Sequence, residues 1–381
     1  MSLAKIFIAG DFCSKPSTEF ISVHQELKDR ISSCDIKVIN FEVPLKVDNA
    51  ELSYTTYERF YQNDDTPLFL NQLGFNLYSI ANNHIFDWGI EGYNNIKNIF
   101  GDKAFGVGVG GDAYELKIQE SNGLKIGFLA LCYSTRNSFP DDIFSENSEY
   151  KTAHIGDTRV AHIIYEAKVL KKEVDYLFVL PHAGIEYIDF PMPEIISLYR
   201  DYINWGADGV IASHPHCPQG WEIYKGKPIF YSLGNFFFNS KNDINYKAKT
   251  PHWYEGLCVE LRIENDRTVS YDVINIKNKN NREIVIDNHP GRTNDNEKNC
   301  NILKDKQLYS EYLTRLALSK KEAYITAYSL GLLTFDVKLS LKIILKLFIH
   351  LLKGRRKQVQ ENFNSLRKDE ARMNLFKTIL K

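Results

Sequence analysis

The chain has 381 residues, 44% hydrophobic and 25% charged, a balance that suits one large globular domain with an appendage. A formal net charge of −1 gives no basis for nucleic-acid binding, and six cysteines without a CxxC pair read as free thiols of a reducing compartment, not as a disulfide framework. No run reaches about 18 uncharged apolar residues, so no transmembrane helix is expected, and no basic region followed by an apolar run of signal length opens the chain.

Elements alternate over the first two thirds of the chain. Ile6–Ala9 is a strand, and Thr18–Ser33 reads as a helix because Phe20, Val23, Leu27 and Ile31 recur at helical spacing. Ile36–Phe41 is the next strand. A helix over Thr66–Leu73, a strand over Asn76–Ala81 and a helix over Gly89–Phe100 follow. Leu124–Tyr133 is a strand entered from an Asn122-Gly123 turn. Thr158–Lys172 is helical, Val174–Leu180 a strand, Glu194–Trp205 helical and Asp208–Ser213 a strand. Trp221–Tyr224 and Pro228–Leu233 flank Lys225-Gly226-Lys227 as a hairpin, and Leu257–Ile276 alternates as closing strands. This order predicts an α/β domain with a mixed sheet or a pair of sheets covered by helices. It ends near residue 276. Residues 277–302, rich in Asn, Asp and Lys with Pro290 and Gly291, read as a linker or mobile loop. Residues 303–381 read as a helical extension.

That extension is basic. From Phe335 to Lys381 there are 12 Lys and Arg against 4 Asp and Glu, while the rest of the chain is acidic. Lys338, Lys342, Lys346 and Lys353 fall near one helical stripe, with Leu339, Ile343, Ile344, Leu347, Phe348, Leu351 and Leu352 filling the remainder. A helix lying on an anionic membrane surface, or packing on a protein partner or on its own domain, would use such a face.

Chemistry collects where strands end. Ile6–Gly10 runs into Asp11, Ile36–Asn40 into Glu42, Leu77–Ala81 into Asn82-Asn83-His84 with Asp87 after it, Tyr176–Leu180 into Pro181-His182, and Val210–Ser213 into His214-Pro215-His216. Carboxyl ends of strands in an α/β sheet converge on one crevice. Two carboxylates, an amide and four of the ten histidines are therefore expected together. The set is larger than one tetrahedral ion needs and suits two divalent cations sharing a carboxylate. Each element alone has an ordinary reading: Asp11 as a helix cap, Glu42 as a surface residue, Asn82-Asn83 as a turn, His182 as a satisfied buried histidine.

Gly10-Asp11, Asn40 to Pro44, Ala81 to Gly89, His182 to Tyr187, Gly206 to His216 and Tyr231 to Phe236 resemble the CapA-type family of capsule and poly-γ-glutamate biosynthesis. That family belongs to the calcineurin-like metallophosphoesterases, and the resemblance covers about residues 3–275. It implies two mixed β-sheets packed together and flanked by helices, here with a C-terminal helical extension. It also implies a dinuclear metal-dependent hydrolase of the phosphoesterase kind, using two divalent ions (Mn, Fe or Zn) on an anionic exopolymer or phosphoester. A non-catalytic assembly or transport factor with structural metals is the alternative.

Residue by residue, the resemblance places Asp11 and His216 on one metal, Glu42 between both, and Asn83, His182 and His214 on the second. His84 would serve the leaving oxygen with Asp87 holding its imidazole. Glu186 would support the site or contact substrate. Cys13 stands where the wider superfamily places a histidine, so it is a possible ligand or a buried thiol. Members of the family typically carry an N-terminal membrane anchor. Its lack here points to a cytoplasmic protein, attached to the inner membrane face if the basic tail binds there. Arg136, after a strong strand, and Arg59, in a long loop with Tyr57 and Tyr61, are candidate contacts for an anionic substrate or plain surface residues. Gly106 to Gly111 lacks GxGxxG spacing and reads as a turn, and no nucleotide cofactor is expected.

Overall fold

The computed structural model describes residues 2–47, 60–133, 150–239 and 252–327. Residues 1–133 and 137–301 make one compact unit. Its first sheet is built around Ala4–Ser14. Ile36–Phe41, Leu77–Ser79 and Ala104–Phe105 follow in order on one side, all parallel. On the other side Glu255–Ile263, Val269–Lys279 and Glu283–Ile286 follow, each antiparallel to the one before, and the short strand Ser22–Val23 pairs parallel with Glu283–Ile286 at the far edge. Asn235–Asn239 pairs parallel with the C-terminal part of Ala4–Ser14, Asp11 opposite Asn235 and Ser14 opposite Asn239. The second sheet has the order Trp221–Tyr224, Lys227–Phe230, Gly209–Ile211, Tyr176–His182, Leu124–Cys132, Lys117–Ser121, and its four central strands are parallel.

Alternation along Ala4–Ser14 shows how the layers form. Ile6 and Ile8 share a core with Val38 and Leu77 of the same sheet and with Phe128 and Phe178 of the second. Phe7 and Ala9, one residue out of phase, share another core with Leu27, Ile31, Leu70 and Ile96. Successive strand side chains point to opposite faces, so the first group fills the space between the sheets and the second meets the helices Gln25–Ser32, Thr66–Gln72 and Gly89–Phe100. Full burial of such a side chain contributes about 1.5–3 kcal/mol. Helix ends follow local rules. Pro67 opens Thr66–Gln72, and Gly101, at φ 56°, closes Gly89–Phe100. Asp157 accepts from Arg159 N at the start of Thr158–Tyr165, and Gly206, at φ 126°, ends Pro193–Trp205. Two mixed sheets packed together between helices is the architecture that the calcineurin-like resemblance implies.

Three expectations need correction. Thr18–Ser33 is not one helix: Thr18–Phe20 is a 3₁₀ turn, Ser22–Val23 a strand, and the helix starts at Gln25. Val23 is drawn out of the helical stripe by pairing with Ile284, which leaves Phe20 58% exposed. Lys117–Ser121, passed over in the sequence, is an edge strand. Residues 277–302 are not an unstructured linker. Val269–Lys279 continues past residue 276, Glu283–Ile286 extends the sheet, and Pro290–Lys304 is a helix in which Arg292, Asn296 and Cys300 are buried.

The second unit contains residues 302–381. Among its described residues, Lys306–Ala327 is a helix started by Asp305, whose Oδ1 accepts from Gln307 N at 2.9 Å and Leu308 N at 3.1 Å. The basic face beyond Phe335 lies outside the described residues. Among the described residues no helix is long and apolar enough to cross a membrane.

Candidate metal centre

Asp11 does not end its strand. Ala4–Ser14 continues past it through an irregular stretch: the register with Ile36–Phe41 shifts between Ala9 and Asp11, and that with Asn235–Asn239 between Asp11 and Phe12. A bulge of this kind re-aims a side chain without ending the ladder. The other candidates do stand at or just beyond strand ends. Glu42 follows Ile36–Phe41, Asn83 and His84 follow Leu77–Ser79, and His182 closes Tyr176–His182. His214 and His216 follow Gly209–Ile211. Both histidines flanking Pro215 have left-handed backbones, φ 103° at His214 and 55° at His216. Such strain in non-glycine residues collects at functional sites.

These loops meet. Ligand atoms of Asp11, Glu42 and His182 lie within 4.8 Å of one another, all three residues buried. His216 adds Nε2 at 3.5 Å from Glu42 Oε1 and Nδ1 at 3.6 Å from Asp11 Oδ2. His182 Nε2 lies 3.7 Å from Glu42 Oε1, 2.8 Å from Asn83 Oδ1 and 3.1 Å from His214 Nδ1. Glu42 Oε1 thus faces both His182 and His216, with Asp11 beside them and Asn83 and His214 against His182. His84 sits apart from these contacts, its Nδ1 2.8 Å from Asp87 Oδ2 and its ring edge-on to Phe60 at 4.9 Å. Asp87 Oδ2 also accepts from Phe60 N at 3.2 Å.

The electrostatics leave a deficit. Burial, then the charges of Asp11, Glu186 and Asp87, pushes the Glu42 carboxyl well above its usual range. Among the described residues, neither Glu42 oxygen has a hydrogen-bond partner, although the residue is 0% exposed. Burial also acts upward on Asp11, but His182, His216 and the Asn40 amide outweigh it and hold that carboxyl below the ordinary value. Burial lowers His182 despite Asp11. A buried carboxylate without donors is costly. Imidazole nitrogens and carboxylate and amide oxygens around such a carboxylate are the donors that first-row divalent cations take. The residues present therefore fit bound metal.

Cys13 stands outside the Asp11, Glu42 and His182 group, buried in an apolar cluster with Val43, Phe238 and Trp253. Burial, then the charges of Glu42 and Asp87, raises its thiol well above the ordinary value and keeps it protonated. Glu186 is close enough for its charge to raise both Glu42 and His84. Arg59 and Arg136 lie outside the described residues.

Three asparagines at the site escaped the sequence. Asn40 Nδ2 donates to Asp11 Oδ1 at 2.6 Å, Asn82 Oδ1 accepts from His84 N at 3.1 Å, and Asn235 Oδ1 faces His216 Nδ1 at 2.9 Å. The only signal was position, since each lies in a segment already singled out for its neighbours.

The family described as bacterial capsule synthesis protein PGA_cap matches residues 6–240, a span that contains the whole cluster from Asp11 to Asn235. The chain belongs to the PGA_cap family. Capsule biosynthesis protein CapA of Bacillus anthracis is 25% identical over 240 residues, covering 60% of this chain and 56% of that one. PGA biosynthesis protein CapA of Bacillus subtilis is 26% identical over 223 residues, 57% of each. This PGA_cap member therefore spans a little over half the length of those relatives. A crystal structure described as a novel phosphatase from Mycoplasma pneumoniae overlays 73% of this chain and 95% of that one, with a TM-score of 0.46 and 15% identity.

Proposed function

We propose that this PGA_cap member is a dinuclear metal-dependent hydrolase, phosphoesterase-like in chemistry, that acts in making a capsule polysaccharide or poly-γ-glutamate. The observation that carries it is Glu42, a fully buried carboxylate with no hydrogen-bond partner among the described residues, next to Asp11, His182 and His216. Asp11, His216 and Glu42 would hold one divalent cation, and Asn83, His182 and His214 with the same Glu42 a second, with Mn, Fe and Zn the matching elements. Cations held there would supply Lewis-acid polarisation of a scissile phosphoryl or carbonyl group and a better water nucleophile at neutral pH.

His84 supplies the proton. Burial lowers its imidazole, but the charge and hydrogen bond of Asp87, with Glu186 and Asp11, raise it above the ordinary histidine value. With Nδ1–H donated to Asp87, Nε2–H is the proton offered to the departing oxygen. Phe60, held by Asp87 Oδ2 and by Trp88 Nε1 donating to its carbonyl at 2.8 Å, screens the imidazole from water.

Elemental analysis of the purified protein, followed by turnover of bis-p-nitrophenyl phosphate with added Mn²⁺, tests the proposal. Bound metal near two equivalents and Mn²⁺-dependent hydrolysis are expected, and His216→Ala should lose both. A His216→Ala protein with unchanged metal content and turnover would refute it.

A further inference from the structure

Asn235 belongs to none of the ligand sets above, yet its side chain is fixed at both ends. Oδ1 lies 2.9 Å from His216 Nδ1. Nδ2 donates to the Trp253 carbonyl oxygen at 2.9 Å and to the His216 carbonyl oxygen at 3.5 Å. Carbonyl oxygens only accept, so the amide end facing them is the NH₂ group and the end facing the imidazole is the oxygen. An oxygen at Nδ1 calls for a proton there, which leaves the lone pair on Nε2. Nε2 is the atom that stands 3.5 Å from Glu42 Oε1. We infer that Asn235 is a positioning residue that locks His216 as the Nδ1–H tautomer and so presents Nε2 to a cation shared with Glu42.

The backbone enforces this placement. Asp11 N donates to the Gly234 carbonyl oxygen at 3.0 Å, and Asp11 and Asn235 face each other across parallel strands. A Cβ at Gly10 would lie 2.0 Å from the Gly234 oxygen, and one at Gly256 would lie 2.1 Å from the Asn235 oxygen. The segment carrying Asn235 is thus pressed between two glycine backbones, at a separation no other residue permits. The imidazole plane is set independently. Phe238 and Trp253 pack on His216 with ring centroids at 4.6 and 4.9 Å. Metal-binding histidines commonly give their second ring N–H to a carbonyl or carboxylate, and loss of that partner costs about 10- to 100-fold in metal affinity.

His182 is held differently. Its Nδ1 meets Ser213 Oγ and Asn40 Nδ2, both at 3.1 Å, with Asp11 Oδ1 at 3.5 Å, so donors and acceptors compete there. Of these two imidazoles, His216 is the one whose tautomer is decided before any cation arrives.

The inference rests on the proposal that His216 faces a cation, and two measurements separate them. In metal-free protein with ¹⁵N-labelled histidine, long-range ¹H–¹⁵N correlations should show His216 protonated on Nδ1. Asn235→Leu should abolish that state. Chelator competition with Mn²⁺ should show about 10- to 100-fold weaker binding for Asn235→Leu, and no further loss when Asn235→Leu is added to His216→Ala. An Nε2–H tautomer in the wild type, or an Asn235→Leu protein with both wild-type tautomer and wild-type affinity, overturns the role of Asn235. A wild type that binds no Mn²⁺ refutes the metal centre instead, while the tautomer measurement still decides the role of Asn235.

Discussion

At the scale of residues, the site histidines differ in what holds their second nitrogen. Asn235 offers His216 a neutral oxygen, whereas Asp87 offers His84 a carboxylate at 2.8 Å. A carboxylate favours the imidazolium and so suits a proton donor; the neutral oxygen of Asn235 selects a tautomer without adding a charge. His84→Ala should therefore lower kcat on a diester by about 10²- to 10⁴-fold with the metal content unchanged in elemental analysis; loss of metal in that variant would place His84 among the ligands. Acids and histidines were legible in the sequence because they recur directly after apolar strand runs. Asn40 was not, because it sits inside such a run and its amide matters only once Asp11, brought from another strand, is 2.6 Å away. Asn82 read as part of a turn, which is what asparagine usually signals.

Among the elements, Ile36–Phe41 has the bounds expected of it, and the helix Gly89–Phe100 ends where Gly101 predicts. These elements are decided locally, by an apolar run or a helical stripe with a stop signal. Ser22–Val23 is decided by Glu283–Ile286, across about 260 residues of chain, and no local pattern announces such a pair. The bulge at Asp11 is likewise invisible in an apolar run but dictates a glycine before it. Gly10→Ala should cost about 1–3 kcal/mol of stability in denaturant unfolding and loosen metal binding, because the added methyl meets the Gly234 oxygen. Gly111→Ala, with open space around it and φ −81°, should stay within about 0.5 kcal/mol of wild type.

For the whole molecule, the buried Glu42 carboxyl is a cost to folding. Glu42 is raised by burial and by neighbouring acids, so its folded value exceeds its unfolded one. Such a group contributes stability below the unfolded value, near 4.3 for glutamate, and that contribution is lost as pH rises through the raised folded value. Metal-free wild type should therefore melt at progressively lower temperature as pH climbs above the ordinary glutamate range. Glu42→Gln should flatten that trend and stabilise the metal-free protein by roughly 0.5–2 kcal/mol at neutral pH, while abolishing metal binding. A Glu42→Gln protein less stable than wild type without metal would show that the carboxylate is satisfied in some other way.

The pairing of Ala4–Ser14 with strands from the far end of its domain has a consequence for the newborn chain. On the ribosome, Asp11 and Glu42 emerge early, but His182, His214, His216 and the Asn235 strand follow only after most of the domain has been translated, and Glu255–Ile263 later still. The first sheet cannot close until Glu283–Ile286 has been made, and the acids cannot meet their imidazoles until synthesis has passed His216. The order of synthesis thus keeps Asp11 and Glu42 apart from the imidazoles they face in the folded domain through most of its translation.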